Sequence, residues 1–432
     1  MKADLTVRGM RDYYPEVYSR LDHIIKTWRK TALSYGFEEF DGPIIETLDL
    51  YRIKSGDEIT GQLYNFIDKG GRELALRPEL TPTVARMVAK IQSETPKPIK
   101  WFSIPRCMRY EKPQKGRLRE FFQFNVDIIG EEEGLSDVDV IGVAIDSLVS
   151  LGLGPDDFVV KINNREFVSG FFHDMDVSDE DASRLYKIID NARKVDPSVT
   201  KKQIEGLGLT ADQKQGLERY LSLKDISDLR DMEYSNPGKE SLLSLFSFID
   251  SSGLGGYCSL DVTVVRGLDY YTGTVYEIFD RSERMRAICG GGRYNHLLKE
   301  FGGAELPACG FGMGDVVLGE ILNQKGLLPE YSKKIDCFLV RITEEELPSL
   351  LEAAHKLRSK GLAVEYAYRP LVVKKQMARA SRSGAEKALI FGRDELKVGK
   401  VILKDLSSGE EKRVGLEEIL SVLLPRSAGR SL

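Results

Sequence analysis

The stretch from Trp101 to Gly130, WFSIPRCMRYEKPQKGRLREFFQFNVDIIG, limits what this chain can fold into more than any other. It reads as two strands joined by a long basic loop. On the second strand Gln123, Asn125 and Asp127 are polar, whereas Phe122, Phe124, Val126 and Ile128 are apolar. Side chains alternate across a strand, so one face offers two amides and a carboxylate while the other packs into a core. Arg109 closes the first strand, and Lys112, Lys115, Arg117 and Arg119 crowd the loop. Such a face beneath a cationic loop suits a polar, anionic ligand such as a nucleotide. A solvated hairpin with an ordinary charged turn would carry the same residues, so the rest of the chain has to decide.

With 432 residues there is material for two or three domains, each with its own core. A content of 42% hydrophobic and 30% charged residues describes an ordinary globular protein. No apolar run approaches the roughly 20 residues of a membrane span. The opening MKADLTVRGM has neither an apolar signal core nor an Arg/Ser-rich leader. The expectation is a cytoplasmic protein with no membrane contact. Cys107, Cys258, Cys289, Cys309 and Cys337 lie far apart with no C-x-x-C pair, and His23, His173, His296 and His355 show no ligand spacing. Neither a disulfide framework nor a protein-ligated metal is expected. A net charge of −5 and a pI near 5.7 argue against a generally basic nucleic-acid coat. Any such contact is confined to local clusters like the 112–119 loop.

From Tyr18 to about Ser34, the residues Leu21, Ile24, Ile25, Trp28 and Leu33 recur at helical spacing, and Gly36 stops the helix. GFEEFDGPIIETLDLY is extended, with Pro43 suited to an edge, a bulge or an interface. A hairpin follows in QLYNFIDKGGRELALRPEL, turning at residues 68–71, and runs into a helix through Pro82 with Thr81 as a candidate cap. Glu79 and Thr81 sit where strand gives way to helix; such a junction faces a ligand or is simply capped. Past the 101–130 hairpin the pattern predicts a helix over 136–150 and a strand near 158–162. Residues 166–250 turn charged and helical, punctuated by Gly-Leu-Gly and Asn-Pro-Gly, and read as an inserted helical subdomain. Strand character resumes in SLDVTVV, residues 259–265, before RGLDYYTGTVYEIF. In RMRAICGGGRYNHLL three glycines precede Arg293 and Tyr294. They lack the order of a P-loop and read equally as a phosphate cradle or as a place where backbone approaches a ligand closely. ACGFGMGDVVLGEIL is a Gly-rich strand entering a helix.

From about Lys333 a separate α/β module begins, with strands near 335–342, 362–366, 388–391 and 401–403 and helices over 346–360 and 373–382. The second helix carries Lys374, Lys375 and Arg379 on one face, as a merely solvated helix would. No GxSxG elbow and no Rossmann GxGxxG is present, so serine-hydrolase or hydride-transfer chemistry has no residues to stand on. The expected fold class is α+β. Residues 1–165 and 251–328 form a mostly antiparallel sheet core, interrupted by the helical insertion 166–250 and followed by the module 333–426.

Taken together, these pieces resemble the class II aminoacyl-tRNA synthetases, and within them the histidyl-tRNA synthetase family. The 101–130 hairpin resembles the second class motif and residues 308–322 the third. GFEEFDGPIIE, residues 36–46, resembles the first, which in the family builds a dimer interface. RGLDYYTGTVYE (266–277) is similar to the histidine-specific signature, with LRPELT (76–81) and GGRY (291–294) in support. KKQ…GA…FGRDELKVGKV is similar to the family's anticodon-binding domain. The likeness spans nearly the whole chain. It implies ATP with Mg2+, L-histidine and tRNA(His) as substrates, a histidyl-adenylate intermediate and a homodimer. Arg109, Arg266 and Gln123 fall on catalytic positions. Glu79, Thr81 and Gln123 fall where the amino group is held, and Asp127, Tyr271 and Tyr294 around the imidazole; Tyr270, Arg109 and Arg266 complete the amino-acid contacts. Arg109, Glu111, Arg117, Arg119 and Arg266 match ATP positions. The acceptor end of tRNA would meet Lys112, Gln114, Lys115 and Arg117, and the anticodon Lys374, Lys375 and Arg379.

Two positions depart from the family pattern. Asp127 stands where many members carry Glu, so the carboxylate is one methylene shorter. Val317 stands where most class II enzymes carry an arginine on the γ-phosphate. A charge-assisted hydrogen bond contributes about 1.5–3 kcal/mol, so a replacement is expected among Arg117, Arg119 and Arg286. Two rival readings remain. A catalytically inactive relative regulates histidine biosynthesis but lacks the C-terminal module; a class II enzyme of other specificity would need a different 266–271 sequence.

Overall fold

The alternation along the second hairpin strand is what organises the core. Strand Glu120–Ile129 buries Phe124, Val126 and Ile128 on one face. There the Phe124 ring stacks on Trp28 of helix Pro15–Ser34 at 5.4 Å and meets Phe102 and Phe311 edge-on. Helix Leu135–Ser150, apolar on most of its surface, packs against the same sheet and the first helix. The structure is a computed structural model that describes residues 5–55, 61–114, 116–192, 195–265 and 271–423.

The chain divides into two compact units, residues 1–329 and 330–432. In the first, Glu120–Ile129 lies between Ile99–Ser103 and Ala308–Gly314, followed outward by Cys289–Arg293, Thr274–Asp280 and Phe158–Asn164, all antiparallel. Parallel edge strands Glu38–Glu39 and Cys258–Leu260 close the two sides. Arg106–Met108 continues the hairpin past a break at Pro105. A small separate sheet joins Ile45–Thr47, Glu73–Leu76 and Asn65–Ile67.

The region 166–250 is helical, and its helices are punctuated by capping chemistry. Asn164, Ser178, Asp196, Thr210, Asp225 and Asn236 each accept a backbone N–H at the start of the following helix. Pro237 opens the last of these helices, and a Cβ on Gly238 would lie 2.0 Å from Phe167 N, so two helices meet there backbone to backbone. Phe167, Phe172, Tyr220 and Leu242 belong to the same apolar cluster as the sheet.

Three local expectations change. Thr81 begins helix Thr81–Ile91 without a side-chain cap bond, so capping does not account for it. The strand read over 259–265 ends at Leu260. Asp261 Oδ1 takes the N–H of Thr263 at 3.0 Å and its hydroxyl at 2.6 Å, turning the chain. The three glycines 290–292 lie inside strand Cys289–Arg293, paired with a strand on either side, so their backbone does not form a phosphate cradle.

The second unit is a five-stranded sheet ordered Val364–Tyr366, Ile335–Arg341, Ala385–Phe391, Lys400–Asp405 and Glu411–Gly415. The first three strands are parallel and the rest antiparallel. Helix Leu347–Arg358 joins one apolar cluster of this sheet and helix Val373–Arg382 another. The last strand carries no apolar alternation, which is why the sequence does not reveal it.

Candidate active site

On the face away from the core, Gln123, Asn125 and Asp127 stand in a row and line a cavity of ≈ 1130 Å³. The adjacent strand makes the room. Gly310 and Gly312 pair with Asp127 and Asn125. A Cβ on Gly310 would stand 2.3 Å from Asp127 Oδ1, and one on Gly312 2.3 Å from Gln123 Nε2. The next strand continues the device. A Cβ at Gly291 would meet Gly310 O at 2.5 Å, and one at Gly292 would meet Thr274 O at 2.6 Å and the Tyr271 ring at 2.8 Å. The glycine run therefore serves close packing of strands and a tyrosine ring.

At one end of the row the Tyr294 hydroxyl donates to Asp127 Oδ1, both residues buried. Tyr271 is also buried and lines the cavity. The preceding Arg293 points the other way. It is fully buried, pairs with Asp137 at 2.7 Å and donates to Ser136 Oγ, Glu131 O and Glu132 O. Burial pushes the Asp137 carboxyl up and Arg293 opposes it. In GGRY the arginine thus anchors the sheet to helix Leu135–Ser150, and the tyrosine reaches the site.

At the other end, Gln123 Oε1 lies 3.8 Å from Cys107 Sγ, a buried thiol whose pKa burial pushes up to about 12, so it stays protonated and can donate. LRPELT divides its work in the same way. Buried Arg77 ties Asp41 and Gly42 to Arg106 through its guanidinium. Pro78 O accepts Arg109 Nε at 3.1 Å, and Glu79 and Thr81 line the cavity. The Arg109 guanidinium also lies over the Phe121 ring at 4.9 Å, which fixes its plane.

The basic loop arches over the site. Gln114 and Arg117 exchange backbone hydrogen bonds at 2.9 Å, and Gly116 occupies the tip with φ +73°. Arg117 pairs with Glu111, and both line the cavity. Burial pulls the Arg117 pKa down; Glu111 opposes this, and the charges of Arg286 and Arg109 add to it. From the facing turn, Arg286 Nη2 donates to Gln114 Oε1 at 2.8 Å. Arg119 is half-buried and turned to the N-terminal segment. Its Nε donates to Glu111 O at 3.0 Å, its backbone N–H to Gly9 O at 3.0 Å, and its guanidinium covers Tyr110 at 4.6 Å. The same N-terminal segment places Arg11 on Asp315 at 2.7 Å, and Asp315 Oδ1 accepts the Phe122 N–H at 2.8 Å.

Nine of the expected positions therefore converge on one cavity: Glu79, Thr81, Arg109, Glu111, Arg117, Gln123, Asp127, Tyr271 and Tyr294. Arg119 is not among its lining residues, and Lys112 and Gln114 are exposed on the loop. Arg266, Tyr270 and Lys115 lie outside the described residues. Lys374, Lys375 and Arg379 are exposed on helix Val373–Arg382 of the second unit. Sequence reasoning missed Glu277 and Phe279, whose alternation along Thr274–Asp280 was available as a signal, and Asp190 from the inserted helices, for which there was none. Among the described residues no cluster of three or more His, Cys, Asp or Glu could hold a metal ion, and no helix is long and apolar enough to cross a membrane.

Comparison with known proteins agrees with this geometry. The family profile "Histidyl-tRNA synthetase" matches residues 9–314, and "Anticodon binding domain" matches residues 336–426. The histidine–tRNA ligase of Opitutus terrae is 39% identical over 96% of this chain and 97% of its own. The crystal structure of histidyl-tRNA synthetase from Nostoc sp. PCC 7120 superimposes with a TM-score of 0.80 at 26% identity, covering 98% of this chain and 99% of that one. A Bacillus halodurans C structure described as an ATP phosphoribosyltransferase regulatory subunit/histidyl-tRNA synthetase has a TM-score of 0.74 at 25% identity, covering 88% of this chain and 97% of that one. With the sheet, the cavity and both profiles in agreement, this chain belongs to the histidyl-tRNA synthetase family.

Proposed function

We propose that the protein attaches L-histidine to tRNA(His) through a histidyl-adenylate. A carboxylate oxygen of histidine attacks the α-phosphorus of ATP in line, and the bond to pyrophosphate breaks. The terminal ribose hydroxyl of tRNA then attacks the acyl carbon, and AMP leaves. Neither step needs a protein nucleophile; both need positioning and neutralisation of charge. The observation that carries the reading is the row on strand Glu120–Ile129, with Arg109 beside one end and the Asp127–Tyr294 pair at the other.

Roles follow from chemistry. Asp127 accepts one imidazole N–H, and the tyrosine hydroxyls of Tyr294 and Tyr271 complete the ring's polar surroundings. Such a site rejects apolar side chains by about 10⁴–10⁵, because its own buried groups would go unpaired. Glu79, Thr81 and Gln123 hold the ammonium. Arg109, Arg266 and Tyr270 act as their family positions imply, with the two forked arginines on the α-phosphate. Mg2+ accompanies ATP as part of the substrate, since this ion is held largely by phosphates and water.

The acceptor end of tRNA would meet Lys112, Gln114 and Lys115, and the anticodon the exposed cations of helix Val373–Arg382. Two copies would pair across 36–46 and the small sheet beside it, where Ile44, Ile45, Phe66 and Ile67 are exposed. Five unpaired cysteines fit the reducing cytoplasm.

Histidine-dependent pyrophosphate–ATP exchange tests the reading. The parent protein should exchange with histidine alone among the amino acids, and Arg109→Ala and Arg266→Ala should each lower kcat by 100-fold or more, on the order of one missing charge-stabilising donor. No exchange from the parent would reject the enzyme; exchange with another amino acid would reject the specificity.

A further inference from the structure

Val317 lies on helix Asp315–Gln324 at the position where the class places a phosphate-binding arginine. It is buried and lines the cavity. Above it sits Gly116, whose missing Cβ would stand 3.2 Å from Val317 Cγ2. The loop tip rests on this apolar side chain, so a long cation here would lift the loop from its seat. The charge that ATP needs must come from elsewhere.

Four described arginines line the cavity: Arg109, Arg117, Arg284 and Arg286. Arg109 is held at the floor by Pro78 O and the Phe121 ring. Arg117 already faces a carboxylate, Glu111. Arg286 stands on the turn between strands Thr274–Asp280 and Cys289–Arg293, and reaches across to the loop. Among the described residues its hydrogen-bond partner is the neutral Gln114 side chain, which fixes the guanidinium without cancelling its charge. Arg284 lacks that tether to the loop. A planar fork of donors, not ion-paired among the described residues and with a second cation, Arg117, near it, suits the outer oxygens of a polyphosphate.

We propose that Arg286 binds the β- and γ-phosphates of ATP in place of the arginine that Val317 displaces. The proposal rests on the synthetase reading and names a binding residue within it. Arg286→Ala raises the KM for ATP in pyrophosphate exchange by about 10- to 100-fold, the range of one charge-assisted hydrogen bond, and leaves the KM for histidine within about 2-fold. Arg286→Lys recovers part of the loss, because a point charge replaces the fork.

A second measurement separates binding from damage to the loop. A non-hydrolysable histidyl-adenylate analogue carries no outer phosphates, so its affinity should be equal for parent and Arg286→Ala. Equal weakening of ATP and analogue would show that Arg286 only shapes the loop, and would overturn the proposal. So would an unchanged ATP KM, or a loss found in Arg284→Ala and not in Arg286→Ala. Absence of exchange from the parent itself would overturn the synthetase reading and this proposal with it.

Discussion

Asp127 shows how the fold seats a short carboxylate beside the cavity. Its Oδ1 takes the Tyr294 hydroxyl and lies over the bare Cα of Gly310, so the carboxylate is held by a neighbour on one side and given space on the other. Asp127→Ala should raise the KM for histidine by about 10- to 100-fold in pyrophosphate exchange, the worth of a hydrogen bond to a charged group, and spare the KM for ATP. An equal rise in both would mean that the strand, not the hydrogen bond, had been damaged. Much of this was legible in advance, since alternation along 120–129 put the three polar residues on one face. The division within GGRY was not. Arg293 and Tyr294 are adjacent letters, yet only the fold reveals that one is buried on Asp137 while the other reaches the cavity.

Strand Ala308–Gly314 illustrates what glycine does when a sheet must leave room for a cavity. Adding a methyl at Gly312 would meet the far end of Gln123, which can swing away, whereas at Gly310 it would also meet Val126 O at 2.6 Å. Gly312→Ala should therefore keep its melting temperature within a few degrees but weaken histidine about 10-fold, with Gln123 displaced; Gly310→Ala should lose both stability and activity. Calorimetry beside exchange kinetics distinguishes the two. Glycines of this kind read ambiguously in a sequence, because a phosphate loop and a crowded strand both demand a missing side chain. The segment 261–265 misled for the opposite reason. Its alternating apolar residues looked like a strand, but Val262 O is taken by the Tyr220 hydroxyl at 2.8 Å and by Asn163, leaving it no ladder partner. A long-range hydrogen bond of that kind leaves no local trace.

The chain's acidic net charge conceals a local basic surface on its second unit. In the second unit, buried Gln376 donates to Arg341 O and Leu371 O and accepts the Arg341 N–H, locking one side of helix Val373–Arg382 to the sheet. Lys374, Lys375 and Arg379 are left on the exposed side. Their combined replacement by Ala should raise the KM for tRNA in aminoacylation, and should flatten its salt dependence by about 0.7–0.9 in log–log slope for each phosphate that is no longer neutralised. Pyrophosphate exchange, measured without tRNA, is the control. An unchanged KM for tRNA would place the anticodon elsewhere. The pattern KKQ was readable as a cationic face, but the use of its glutamine as a fastener was not.

The segment ahead of the first helix has a practical side. Gly9 and Arg8 carbonyls hold Arg119, and Arg11 holds the carboxylate that steadies Phe122, immediately before Gln123. A substitution at Arg11 would therefore reach Gln123 through the backbone rather than through the cavity, and Arg11→Ala is expected to change the kinetics although Arg11 does not line that cavity.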